Sequence, residues 1–111
     1  VRPMYVVLTS IPIDPARRTE ALELVAELAE QSRAEPGVVA YHATTDVVDP
    51  NVVRFVERYE DVAALEAHTE TGHYERFTDR LPAFVDGEME TTQLQVDDEV
   101  LSASFGVDDL D

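Results

Sequence analysis

The sequence predicts an α+β domain whose elements run in the order β-α-β-β-α-β, and three observations predict it. Short β-branched runs alternate with two stretches whose apolar residues recur at helical spacing. Each helical stretch opens on an aspartate, Asp14 or Asp61, that can cap its first turn. The two middle strands are joined by Val48–Asp49–Pro50–Asn51, a set of turn residues that predicts an antiparallel hairpin. This order is the ferredoxin-like arrangement, an antiparallel sheet with both helices on one face.

Met4 to Ile11 is apolar and β-branched, lies between Pro3 and Pro12, and reads as the first strand. Pro15 suits a first helical position, and the helix extends to Arg33. Glu20, Glu23, Glu27 and Glu30 line one side of it, with Ala21, Leu22, Val25, Leu28, Ala29 and Ser32 opposite. Glu35–Pro36–Gly37 stops it, since proline cannot continue a helix. Val38 to Asp46 and Val52 to Glu60 are the hairpin strands. In the latter, Val53, Phe55, Glu57 and Tyr59 share one face, and Val52, Arg54, Val56 and Arg58 the other. The second helix begins after Asp61 and is interrupted at Gly72. Beyond the break Tyr74, Phe77, Leu81 and Phe84 keep a helical spacing, and Glu88 to Val96 supplies the fourth strand. Residues 1–96 are thus expected to form one domain, and residues 97–111 an acidic tail. No further helix remains to cover the second sheet face, which predicts a homodimer joined through the sheets.

The charge is lopsided: 24 acidic residues against 8 basic ones, a net charge of −16. All the basic residues are arginines. Such a chain repels nucleic acid and anionic membranes, which excludes both as partners. Because the acids are dispersed along the chain, they point to a halophilic protein from a salt-rich cytoplasm. Without cysteine there are neither disulfides nor thiolate metal sites. The N-terminal residues lack the pattern of a signal peptide, so a cytoplasmic location is expected.

Three segments, SRAEPGVVAY (32–41), FVERYEDVAALEAH (55–68) and TGHYERF (71–77), resemble the antibiotic biosynthesis monooxygenase family of dimeric α/β barrels. The resemblance spans about residues 4 to 96 and implies a cofactor-independent monooxygenase acting with dioxygen on a quinol or another small aromatic phenol. The family also holds haem-degrading enzymes. In these a tryptophan stands where this chain has His68, and a haem-ligating histidine where it has Thr78, so haem degradation is not implied. Tyr59 stands where many relatives have tryptophan.

A ferredoxin-like domain offers a cleft between sheet and helices. His68, one turn after Leu65, is expected to face that cleft and to be the catalytic base, since imidazole titrates near neutrality. Glu57 is expected there too, as a second catalytic residue aiding His68 or as an ion pair that only fixes the helix against the sheet: a buried carboxyl within reach of His68, with Arg33 or His68 as its partner. Tyr41, Tyr59, His73, Tyr74, Phe77 and Arg33 complete the expected substrate-binding set. His68 and His73 stand five apart across a glycine break, a spacing that predicts no shared direction and hence no metal site. No cofactor is expected, since there is neither a glycine-rich phosphate loop nor a metal cluster. The same cleft would also serve a non-catalytic binding or accessory module, or an isomerase or degrader of a small oxygenated metabolite.

Overall fold

The computed structural model describes residues 3–110. Strand β1 (Met4–Pro12) lies in the middle of a four-stranded sheet. It pairs antiparallel with β3 (Val52–Tyr59) on one side and β4 (Glu90–Val96) on the other, and β2 (Val38–Thr45) forms the edge beyond β3. The order β2-β3-β1-β4 is that of the ferredoxin-like fold. Helices α1 (Arg18–Arg33), α2 (Val62–Thr69) and α3 (Gly72–Arg80) cover one face.

The local chemistry explains the boundaries. Asp14 accepts the Ala16 amide at 3.0 Å and opens a 3-10 turn, Pro15–Arg17, that leads into α1. Asp61 accepts the Ala64 amide at 2.9 Å and starts α2. The break after α2 comes from Thr71 rather than from Gly72. The Thr71 hydroxyl donates to the His68 carbonyl at 2.8 Å and accepts the Tyr74 amide at 3.2 Å, closing one helix and capping the next. Gly72 has no positive φ and open space at its Cβ position. Strand β4 begins two residues later than expected, at Glu90. Gly87 turns the chain with φ 127°, packed against Pro12, and pairing with β1 starts only at Ser10 opposite Glu90.

The core lies between sheet and helices. It joins Val7, Ile11, Val53 and Phe55 of the sheet to Ala21, Leu24, Val25, Leu28 and Ala29 of α1, with Phe77, Leu81 and Phe84 at the far end. Leu24 is buried where the sequence pattern had placed the half-buried Leu22 instead. Each fully buried side chain of this size contributes about 1.5–3 kcal/mol. Strand β3 alternates as expected: Val53, Phe55, Glu57 and Tyr59 point inward. The opposite sheet face carries Met4, Val6 and Leu8 of β1, beside Val56 of β3 and Leu94 and Val96 of β4. No helix covers it among the described residues, and Leu8, Val56 and Leu94 stay 40–45% exposed.

Candidate functional site

A cavity of about 590 Å³ opens between the sheet and the α2–α3 corner. Its floor is Val7, Thr9 and Ile11 of β1 with Phe55 and Glu57 of β3, and Leu65, His68, Tyr74 and Phe77 form the opposite wall. Thr91 and Gln93 of β4 line one margin. The surface is mostly apolar with a few convergent polar groups, the usual character of a small-molecule site.

His68 is the buried residue of α2, at 2% exposure. Its ring sits among Tyr41, Tyr59 and Tyr74, with centroid separations of 5.3, 5.6 and 5.1 Å. Nδ1 lies 2.8 Å from Glu35 Oε2, while Nε2 is buried without a hydrogen-bond partner among the described residues. The sequence had favoured Glu57 as the neighbour of this ring. The observed partner is Glu35, in the loop that ends α1, because α2 runs back past that loop before turning at Thr71.

His73 joins the same carboxylate, with Nε2 2.6 Å from Glu35 Oε2. The expectation that the two histidines share no direction is therefore corrected. The Thr71 turn breaks the helical register between α2 and α3, and both rings reach one oxygen. The ligand atoms of Glu35, His68 and His73 all lie within 4.8 Å of one another, so this is where a metal ion could be held. The one sequence signal for Glu35 is its place in Glu35–Pro36–Gly37, which reads equally well as a plain helix stop. Gly37 supplies the proximity: a Cβ there would collide with that of Ala64, so only glycine lets the loop lie against α2.

Glu57 is buried on the cavity floor and accepts the Tyr59 hydroxyl at 2.5 Å. Burial pushes its carboxyl up to about 7; the Tyr59 hydrogen bond opposes the shift, and the charge of Glu35 adds to it. Burial also raises the phenols of Tyr41 and Tyr59, reinforced by the Glu57 charge, so both stay protonated donors. Arg33 does not reach Glu57. Its Nε donates to the Tyr41 carbonyl at 2.8 Å, which ties the end of α1 to β2. Of the expected set, His68, Glu57, Tyr41, Tyr74 and Phe77 line the cavity. Tyr59, His73 and Arg33 lie outside the lining: Tyr59 is one hydrogen bond behind it through Glu57, and His73 two, through Glu35 and His68.

The fold is shared with known proteins. The Bacillus subtilis (strain 168) protein YcnE, provisionally named a monooxygenase, is 34% identical over 74 residues, covering 67% of this chain and 78% of that protein. An uncharacterised Synechocystis protein, sll1783, is 31% identical over 77 residues, 69% of this chain, which spans about half (52%) of that relative. The crystal structure of PA3566 from Pseudomonas aeruginosa superposes with a TM-score of 0.76 at 28% identity, covering 86% of this chain and 94% of that one. The antibiotic biosynthesis monooxygenase profile matches residues 4–80, the segment that holds both sides of the cavity. The chain belongs to the antibiotic biosynthesis monooxygenase family.

Proposed function

We propose that this protein is a cofactor-independent monooxygenase that oxidises a quinol or another electron-rich phenol in the cavity between the sheet and the α2–α3 corner. One observation carries the reading. A fully buried imidazole, with a ring nitrogen that has no partner among the described residues, and a carboxyl raised to about 7 line the same apolar cavity. His68 takes the phenolic proton. The phenolate gives one electron to dioxygen, and the resulting radicals combine at an unsubstituted ring carbon, ortho or para to the oxygen, to form a peroxide. Loss of the C–H proton with cleavage of the O–O bond then gives the quinone and water, so one oxygen atom enters the product and the other leaves as water. Glu57, near half-protonation at neutral pH, supplies a proton to the departing oxygen. The apolar walls exclude bulk water and hold the ring planar against Phe55 and Phe77.

The working assembly in this reading is a homodimer joined through the open sheet face, with the acidic helix faces outward. The test is dioxygen uptake in high salt across a panel of quinols and polycyclic phenols, with ¹⁸O₂ and mass analysis of the products. One labelled atom in the quinone is expected, and loss of turnover in His68→Ala. Phenols that bind in the cavity without consuming dioxygen would make the protein a binding module instead.

A further inference from the structure

We propose that Glu35 is the positioning residue that makes His68 a base, fixing its proton on Nδ1 so that the lone pair on Nε2 faces the substrate, and that His73 holds Glu35 in place for this task. The inference rests on the oxygenase reading for its kinetics but not for its geometry. An ionised carboxylate only accepts hydrogen bonds. Two ring nitrogens approach the same Oε2, at 2.8 and 2.6 Å, so each carries a proton there. A neutral imidazole has one N–H; with it on Nδ1, Nε2 of His68 is an acceptor.

That acceptor is buried and has no donor among the described residues. His68 lines the apolar cavity, so its unmatched lone pair is one that a ligand hydroxyl can satisfy, with the proton a phenol would surrender. When His68 takes that proton its new positive charge lies between Glu35 and the phenolate left in the cavity, and the carboxylate stabilises it. His73 reaches the same oxygen from the start of α3 and leaves the carboxylate little freedom to rotate. The Glu35 loop is itself secured: its amide donates to the Ser32 carbonyl, its carbonyl accepts the Val38 amide, and Gly37 lies against Ala64.

A metal ion on Glu35, His68 and His73 would demand the opposite tautomer. It would need the Nδ1 lone pair and force the proton of His68 onto Nε2, which leaves no base in the cavity. The tautomer therefore separates the two uses of one cluster.

Long-range ¹H–¹⁵N correlation spectra of the ligand-free, metal-free protein, taken where His68 is neutral, read this directly. The expected pattern is an Nδ1-protonated His68, changed to Nε2-protonated or to a tautomer mixture in Glu35→Gln. Adding a phenol that cannot be oxidised should shift Nε2 and leave Nδ1 in place. In turnover, Glu35→Gln should lower kcat by about a hundredfold, within the range for a disabled general base, and change KM by less than about threefold. Glu35→Asp should recover part of the loss. An Nε2-protonated His68 in the wild-type protein overturns the proposal even if the variant does not fold. So does one zinc ion per chain bound at Nδ1 in the presence of excess magnesium. If the tautomer is as expected but no phenol is oxidised, the oxygenase reading fails and the Glu35 assignment stands.

Discussion

The Glu57 carboxyl is a stability switch as well as a candidate proton carrier. Its folded value of about 7 stands above the ordinary 4.5, so the folded state binds a proton that the unfolded chain has already released between those limits. Stability from this group is complete below about 4.5 and declines as the pH rises through 7. The full difference is about 3 kcal/mol at 1.36 kcal/mol per unit, an upper figure for a single buried group. Glu57→Gln keeps an acceptor for the Tyr59 hydroxyl and cannot ionise. It should flatten this decline and leave the variant more stable than the parent at pH 8 in urea titrations, whereas equal slopes for the two proteins would remove the buried proton. Period-2 alternation in β3 made the burial of Glu57 readable from sequence, and the one-turn step from Leu65 did the same for His68. The partner of His68 was not readable, because Glu35 and His68 are distant in sequence and meet only through the close approach at Gly37.

At the scale of the elements, two positions control how the α2–α3 corner meets the rest. Gly37→Ala would drive a methyl group into Ala64 and push the Glu35 loop off α2. A loss of about 1–3 kcal/mol is expected, as for other overpacked contacts, together with altered resonances of both His68 and His73. Thr71→Ala removes a helix cap and should cost about 1 kcal/mol of stability. If its melting temperature matches the parent's, the hydroxyl is not what ends α2. Strands and helices were legible because their periodicities are local properties. The sheet order followed from topology rules rather than from any one residue. The corner was misread at Gly72 because glycine is the louder punctuation mark, while the hydroxyl one residue earlier makes the bonds.

The whole molecule is a slab, 41 × 40 × 23 Å, one helix layer on one sheet layer. Its radius of gyration of 15.5 Å exceeds the value of about 13 Å usual for a compact chain of this length. A second slab placed on the open sheet face would supply the missing layer, so light scattering in high salt should give twice the chain mass. A monomer mass over a wide concentration range would dismiss the assembly. With −16 of charge per chain, two chains repel strongly when the screening length grows. It is about 30 Å at 0.01 M salt and about 3 Å at 1 M, so the melting temperature should climb with potassium chloride. A flat response would mean that the acids are compensated locally and that salt adaptation is not their purpose.

The tail that follows β4 makes this testable with a protease. Beyond Asp97 every hydrogen bond among the described residues stays within the tail, and Leu101 and Phe105 are 83% and 70% exposed. Chymotrypsin cuts after such residues where the backbone can unfold into its cleft, so these bonds should be severed first. The remaining domain should melt at an unchanged temperature. The rate of that clipping then becomes a gauge of contact between subunits. A tail that lies free in a pair is cut as fast at high protein concentration as at low. One that lies across its neighbour is shielded as the concentration rises, and the same digestion series then reports the dissociation constant of the pair.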